Sequence, residues 1–208
     1  MIYIIITTSI NNKIGVKNEA HRKNRYIEGI KHLLKLINNI NNIHPIIVEN
    51  NGKRDTFLDN LNCDTLYTNN NKYNFKHKGG NELLDIKSVI NTYNIDDNDT
   101  IIKLTGRYKI MNLDFINMVI NNCHKIDAFV KFFNVCTRKY HDNKDDCVLG
   151  LFALKCKYLK KFEYNYQKSP EVEFALYVKK TIDNNKILCI NTLSLECCFA
   201  DNLRILMV

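Results

Sequence analysis

The chain has 208 residues, a formal net charge of +8 and 45% apolar residues. This length fits one domain with its own hydrophobic core. The apolar content is ordinary for a globular protein and excludes a largely disordered chain. The basic residues are spread along the whole sequence and form no aromatic-rich basic strand, which argues against a nucleic-acid-binding module.

Cysteine usage and hydropathy indicate the compartment. The eight cysteines form no Cys-x-x-Cys pair, so a structural zinc site is not expected. No apolar stretch is long enough to cross a membrane, and the first residues lack the basic segment of a signal peptide. We therefore expect a cytoplasmic protein with reduced thiols.

The first half of the chain alternates strand and helix patterns. Its continuous apolar, β-branched start is typical of a central strand buried on both faces. The alternation predicts βαβ units and a largely parallel sheet. The predicted elements are strands at 2–6, 44–49, 65–67 and 100–105, helices marked by apolar residues within 27–40 and 83–93, and a short helix at 55–61.

The second half is less regular. It predicts a helix at 115–120 capped by Asn112, a helix at 169–182, and strands at 128–133, 148–154, 187–190 and 193–199. Neither an internal repeat nor a linker interrupts the chain, so one domain is the economical interpretation.

The segment 96–110 is the most informative part of the sequence. It reads as an acidic turn, a buried strand and a break at Gly106. Lys103, Thr105 and Arg107 alternate, so an extended backbone places them on one face at the end of the strand. Two cations and a hydroxyl there suit a diphosphate. The alternative is a strand with a solvated edge and a simple turn.

Cations also stand where the first strand leads into the first helix. The strand ends in three hydroxyl residues at 7–9, and Arg22, Lys23 and Arg25 follow near the helix start. Cations at a helix N-terminus oppose the helix dipole, and a bound anion would relieve this conflict. The alternative is that they are solvated charges of a basic protein.

Two further segments are ambiguous. Lys78-Gly79-Gly80 precedes a helix and is too short for a P-loop, so it is either a ligand-binding approach or a turn. Glu171 and Glu173 open a late helix after Ser169 and Pro170, where carboxylates are favoured electrostatically. One of them could instead be a general base.

Four segments, taken in order, resemble GT-A-fold glycosyltransferases, in particular the small glycosyltransferase-like proteins of large DNA viruses and of bacterial polysaccharide loci. They are 101–108 (Ile-Ile-Lys-Leu-Thr-Gly-Arg-Tyr), 78–83 (Lys-Gly-Gly-Asn-Glu-Leu), 150–155 (Gly-Leu-Phe-Ala-Leu-Lys) and 171–173 (Glu-Val-Glu). The resemblance spans most of the chain. It implies an α/β fold with a mostly parallel, Rossmann-like central sheet flanked by helices and a smaller antiparallel part.

The resemblance also implies a single GT-A-like domain over 1–208, with a nucleotide-sugar-binding half at about 1–110 and an acceptor-side half at about 111–208. The expected donor is a UDP- or GDP-sugar, and the acceptor is a glycan or another hydroxyl compound. The donor-binding residues would be Thr7, Thr8, Ser9, Arg22, Arg25, Lys78, Lys103, Thr105, Gly106 and Arg107.

On the acceptor side, the resemblance implies a floor that includes Gly150, Leu151 and Phe152. Glu173 would be the base that deprotonates the acceptor hydroxyl in an inverting displacement. Asp146, in the polar loop 141–146, is the other catalytic candidate.

The sequence departs from the GT-A pattern at the metal site. Most such enzymes carry Asp-x-Asp after the fourth strand, whereas this chain has Thr105-Gly106-Arg107. Either Lys103 and Arg107 replace the charge of a Mn or Mg ion, or Asp145 or Asp146 binds it. We expect weak or absent metal dependence.

Three competing functions are considered. A nucleotidyltransferase would need a glycine-rich basic loop after the first strand, which the sequence at 8–14 (Thr-Ser-Ile-Asn-Asn-Lys-Ile) lacks. A basic nucleic-acid-binding module would explain the net charge but not its scatter. A catalytically inactive sugar-binding relative remains an alternative, since a missing Asp-x-Asp can mean lost activity.

Overall fold

The computed structural model of the protein describes residues 1–11, 19–135, 140–199 and 204–208. Its strands are β1 Ile2–Thr8, β2 Ile43–Glu49, β3 Asp64–Tyr67, β4 Thr100–Thr105, β5 Lys109–Ile110, β6 Ala128–Val130, β7 Leu151–Lys155, β8 Ile187–Cys189, β9 Leu195–Cys198 and β10 Ile205–Met207. Its helices are α1 Glu19–Ile37, α2 Gly79–Thr92, α3 Asp114–Asn122, α4 Cys156–Lys161 and α5 Pro170–Thr181.

Seven strands form a central sheet in the order β3-β2-β1-β4-β7-β6-β8. The first four of these run parallel, β7 is antiparallel to both neighbours, and β8 is parallel to β6. A small antiparallel sheet contains β10, β9 and β5. The predicted fold class, a mostly parallel α/β sheet with a smaller antiparallel part, is confirmed.

The apolar start of the chain explains why β1 lies inside the sheet. Ile4, Ile5 and Ile6 are all fully buried. Because side chains alternate along a strand, Ile4 and Ile6 join one core with α1, while Ile5 joins the core on the other face with α2 and α5. Helices therefore cover both faces, and the polar site is restricted to the strand ends.

Short or irregular elements are where the sequence predictions were wrong. The first helix begins at Glu19, well before its apolar stripe, while the predicted strands at 128–133 and 148–154 are shortened to β6 and β7. The pattern gave no signal for β5, β10 or α4, which are two to six residues long. Such elements are too short for periodicity and are fixed by pairing and packing.

Two further findings concern the helices and the cysteines of the described part of the chain. Its helices include none that is long and apolar enough to span a bilayer. None of the seven cysteines described forms a disulfide, and Cys136 lies outside the described residues.

Candidate active site

A cavity of about 530 Å³ opens at the carboxyl ends of β1, β2 and β4. The strands β1 and β4 are parallel neighbours, with Thr7 beside Thr105, so the residues that follow them meet at one edge of the sheet. This is where open α/β sheets bind ligands. Of the predicted donor-binding residues, the lining contains Thr7, Thr8, Ser9, Arg22, Lys78, Lys103, Thr105 and Arg107.

Arg22 provides a buried guanidinium in this cavity. It is only 5% exposed, and it donates through Nε and Nη2 to the carbonyl of Ser9 at 3.3 and 3.0 Å and through Nη2 to the Tyr26 hydroxyl at 3.1 Å. Its Nη1 is buried and has no hydrogen-bond partner within the described parts of the chain. Because an unsatisfied buried charged donor is costly, this nitrogen indicates a site for an anion.

Arg107 is held in the same cavity by its neighbours. Its Nε donates to the carbonyl of Cys198 at 2.9 Å, and its guanidinium lies 5.0 Å from the centre of the Tyr108 ring. The ring in turn lies directly against Gly150, where a Cβ atom would overlap it. Gly150 therefore contributes to the cavity because it has no side chain, which leaves room for the Tyr108 ring next to Arg107.

Lys78 completes a group of three cations. Its pKa is lowered, first by burial and then by the positive charges of Arg22 and Arg107. The pKa of Arg22 is also lowered, chiefly by burial, with Arg107 adding to the effect. The three side chains thus repel one another across one end of the cavity, and a bound anion would stabilise all of them.

The expectation that Lys103 contacts a donor diphosphate needs correction. Its ammonium donates to the Thr105 hydroxyl and the carbonyl of Leu149, both at 2.8 Å, and forms an ion pair with Glu82 at 2.8 Å. A lysine has three N–H donors, so none remains. Burial lowers the pKa of Lys103 while Glu82 opposes this. Lys103 is therefore a fixed support of the cavity floor.

The three residues at the carboxyl end of β1, Thr7, Thr8 and Ser9, are also engaged within the protein. The Thr7 hydroxyl donates to Glu82 at 2.5 Å, and the Thr8 hydroxyl donates to the fully buried Glu49 at 2.7 Å. Glu49 also accepts the backbone N–H of Ile10 at 3.1 Å. Thr7 and Thr8 therefore shape the cavity edge, while Ser9 places its carbonyl on Arg22.

Two predicted donor residues lie outside the cavity lining. Arg25 points to the small sheet, where it pairs with Glu196 at 2.5 Å. Gly106 is buried behind the lining, and its N–H donates to the carbonyl of Thr7 at 2.9 Å. Helical spacing separates Arg25 from Arg22 by about 300° of rotation, or some 60° the other way, which is enough to direct the two guanidiniums to different partners.

Of the two carboxylates that open α5, the cavity lining contains Glu171 and not Glu173. The buried residues of α5 are Phe174, Ala175 and Val178. Glu171 precedes them by three, four and seven positions, so it shares their face. Glu173, the base that the resemblance implied, does not line the cavity, because it lies off the face of α5 that packs inward.

Glu173 instead binds backbone amides of the preceding loop. Its carboxylate accepts N–H groups from Asn165 at 2.7 Å, Gln167 at 2.7 Å and Lys168 at 3.0 Å. Burial raises the pKa of Glu173, but these hydrogen bonds outweigh it and the net pKa is lowered. A carboxylate so engaged is a poor proton acceptor.

The remaining acceptor-side predictions are also corrected. Leu151 and Phe152 are core residues, 0% and 3% exposed, and do not line the main cavity. Asp146 is buried away from the lining, where its Oδ1 accepts the N–H of Cys147 at 2.8 Å and burial raises its pKa. Asp145 is exposed. Leu151 and Phe152 therefore pack into the core from β7 and do not form the floor that was expected for the acceptor.

Sequence reasoning missed several groups that the fold brings to the cavity. They are Tyr26, Asn50, His77, Asn81, Glu82, Asp85 and Arg204. Glu82 is the one of these residues that the sequence could have indicated. It lies on α2, four positions after Lys78, and its carboxylate pairs with Lys103. The others carry no local signature, because they come from α1, from α2 and from three separate loop positions that meet only in the folded chain.

Asp85 is a carboxyl group buried among neutral donors. It accepts hydrogen bonds from Asn50, Thr68 and Asn70, each at 2.8 Å. No cation contributes, and burial raises its pKa to about 7 despite these bonds. Asp85 therefore fixes the amides of Asn50 and Asn70 at the β2–β3 end of the cavity.

We expect Asp85→Asn to gain stability relative to the wild type as pH rises from 4 to 7. The native pKa of about 7 exceeds the ordinary aspartate pKa of 3.8, so the native state binds more protons in this window. Wild-type stability then falls with rising pH, by at most about 1.4 kcal/mol per pH unit, and the variant lacks this dependence. Urea unfolding at several pH values measures it, with Asp145→Asn as the exposed control. Equal slopes for variant and wild type would contradict the raised pKa.

The position of the Asp-x-Asp metal site does not fit a divalent cation. Thr105 and Arg107 stand there, and Arg107 brings a positive charge. Within the described ranges, no three His, Cys, Asp or Glu side chains are grouped as metal ligands would be.

Comparisons with known proteins agree on the fold. No protein-family model matches the sequence, and no curated protein matches it significantly. Among solved structures, a putative nucleotide-diphospho-sugar transferase from Desulfovibrio desulfuricans G20 has a TM-score of 0.54 at 9% identity, covering 91% of this chain and 79% of that one.

Two further structures are similar. TarS from S. aureus has a TM-score of 0.54 at 13% identity, with 91% of this chain and 57% of that chain covered. A 4-diphosphocytidyl-2C-methyl-D-erythritol synthase from Anaerococcus prevotii has a TM-score of 0.52 at 12% identity, with 91% and 86% covered. At these identities the likeness establishes the fold.

Proposed function

We propose that the protein is a glycosyltransferase that moves a sugar from a nucleotide-sugar donor to a hydroxyl group of a glycan or similar acceptor, with inversion. One observation carries this proposal: the cations Arg22, Lys78 and Arg107 and the carboxylate Glu171 line the same cavity at the carboxyl edge of the sheet. Cations suit a diphosphate leaving group, and a carboxylate suits proton removal from a hydroxyl.

The reaction uses these groups in one displacement. Glu171 takes the proton of the acceptor hydroxyl, and the acceptor oxygen attacks the anomeric carbon of the donor sugar. The bond between that carbon and the diphosphate oxygen breaks, and the nucleoside diphosphate leaves. The guanidiniums of Arg22 and Arg107 stabilise the negative charge that develops on the leaving oxygen.

The charge of the cavity matches a diphosphate. Its lining has five cationic side chains and three carboxyl groups, a net of +2 when all are ionised. The cations are Arg22, Lys78, Lys103, Arg107 and Arg204, and the carboxyl groups are those of Glu82, Asp85 and Glu171. The diphosphate of a nucleotide sugar is a dianion, so side chains alone can neutralise it.

We therefore expect nucleotide binding to persist in EDTA. A thermal-shift screen of UDP-, GDP-, CMP- and dTDP-sugars, each with EDTA or manganese, measures it. Ligand at a hundred times its dissociation constant stabilises the native state by about 2.7 kcal/mol. A shift that needs manganese would contradict neutralisation by side chains alone. If no donor shifts the melting temperature, the glycosyltransferase proposal fails. A donor that binds but is never turned over would favour the inactive relative.

A nucleotidyltransferase is the second candidate, because the fold also occurs in the 4-diphosphocytidyl-2C-methyl-D-erythritol synthase described above. The test is release of pyrophosphate from CTP, UTP or dTTP in the presence of sugar phosphates. The loop at 8–14 that would hold a triphosphate is described only as far as residue 11. Its basic-loop signature is absent from the sequence, and Glu171 has no role in that reaction, so glycosyl transfer is preferred.

The resemblance to proteins of large DNA viruses, and the host cytosol that it would imply, stay predictions.

A further inference from the structure

The loop 163–168, between α4 and α5, is held in an unusual conformation by Glu173. Three of its backbone N–H groups point to this single carboxylate. Tyr166, in the middle of the loop, has a φ of +59°, a left-handed conformation that is rare for a bulky residue. The Lys76 ammonium also donates to the Tyr166 carbonyl at 2.9 Å. The loop conformation therefore depends on charged contacts outside it.

The held loop packs two tyrosine rings against the start of α2. The ring of His77 lies 5.2 Å from that of Tyr164 and 4.8 Å from that of Tyr166. The close approach requires Gly80, because a Cβ there would lie 2.5 Å from the Tyr166 hydroxyl. Tyr164, Tyr166 and His77 thus form an aromatic wall at the start of α2.

His77 shows that this wall covers a polar group. His77 lines the cavity, yet both of its ring nitrogens are buried and have no hydrogen-bond partner among the described residues. Burial lowers the pKa of His77, which favours the neutral form of the ring. Buried nitrogens without hydrogen-bond partners destabilise this packing of the rings. Other contacts, such as those of Glu173 with the loop, must therefore stabilise it.

The wall is also next to the candidate base. Tyr164 lines a small pocket that shares Glu82, Lys103 and Leu149 with the main cavity. The pKa of Tyr164 is raised well above its usual value, chiefly by burial, with the charges of Glu82 and Glu171 contributing. A movement of the loop would therefore change the surroundings of Glu171.

We propose that Glu173 is a positioning residue: by clamping the loop 163–168 it holds Tyr164 and Tyr166 over His77 and closes the acceptor side of the cavity next to Glu171. The clamp itself follows from the contacts alone. Its effect on catalysis rests on the proposed function. Glu173, which the sequence suggested as a base, thus acts through the loop 163–168. Glu171, two residues earlier, is the carboxylate that lines the cavity.

The clamp is tested by the reactivity of His77 toward diethylpyrocarbonate, followed by peptide mass spectrometry at pH 7. In the wild type the buried ring reacts slowly. In Glu173→Ala the loop opens and the rate should rise about tenfold or more, because local opening controls access. Glu173→Gln keeps one acceptor oxygen and should lie between them. Glu163→Gln is the matched control, since its side chain is 83% exposed and forms an ion pair with Lys87 at 3.8 Å. A His77 rate that is unchanged in both Glu173 variants would overturn the clamp.

The catalytic part is tested on the same variants with a nucleotide-sugar selected by the thermal-shift screen. Dissociation constants for the nucleotide should change little, because Arg22 and Arg107 are held by Ser9, Tyr26 and Cys198 and not by the loop 163–168. The kcat for hydrolysis of the donor by water should fall about fivefold or more in Glu173→Ala, since Glu171 loses its ordered surroundings. An opened loop with unchanged kcat would overturn the positioning role. Absence of any nucleotide binding would defeat the proposed function and leave the His77 result to decide the clamp.

Discussion

Replacing Arg107 by lysine should weaken binding of the donor nucleotide roughly 10- to 100-fold, because a charge-assisted two-pronged contact contributes roughly 1.5–3 kcal/mol. Lysine keeps the positive charge but loses the planar fork and the stacking on Tyr108. The pKa of Arg107 is raised, with Tyr108, Tyr26 and Glu82 outweighing burial, so the guanidinium remains charged at every pH of interest. Isothermal titration of the nucleoside diphosphate measures the effect.

Arg25→Lys is the matched control for this experiment. Arg25 also contacts β9, as Arg107 does, but it pairs with Glu196 there and does not line the cavity. Nucleotide affinity should be retained in this variant. Equal affinity in Arg107→Lys and in the wild type would show that Arg107 serves only to hold Cys198 and Tyr108, and the anion site would then rest on Arg22 and Lys78.

Replacing Glu171 by glutamine should lower turnover of the donor by at least a hundredfold, with nearly unchanged nucleotide affinity. A general base typically contributes about 10²–10⁴-fold, and glutamine cannot accept the proton. Release of nucleoside diphosphate under single-turnover conditions measures the chemical step, and titration measures the affinity. Glu173→Gln should lose far less, because it acts only through the loop 163–168.

Similar, mild losses in both variants would contradict a base at Glu171. Both carboxylates would then be helix-terminal charges of α5. Glu82 would be the next carboxylate to test, although its ion pair with Lys103 at 2.8 Å and the lowering of its pKa by that cation make it a weak base.

The sequence predicted the elements with strong periodicity. Eight of the ten observed strands, all except β5 and β10, follow from apolar runs bounded by turn residues, although several bounds differ, and α1, α2, α3 and α5 follow from their apolar stripes. The alternation of strands and helices was enough for the parallel sheet and for the edge where the site lies, because carboxyl ends of parallel strands must meet. Lys103 and Thr105 line the cavity because strand alternation places them on one face of β4, whereas Arg107 lies in the turn after β4 and reaches the cavity through that turn.

What each side chain does there was decided only by the tertiary structure. Lys103 and Arg107 are both cations of the segment 103–107. In the folded chain, however, Glu82 and the carbonyl of Leu149 bind the ammonium of Lys103. Glu171 and Glu173 are alike at the start of one helix, and packing of Phe174 and Val178 decided which of them faces the cavity. Sequence patterns fix the direction of a side chain within its own element, because that direction depends on local geometry. Its partners come from distant elements, so its chemistry depends on contacts that no local pattern contains.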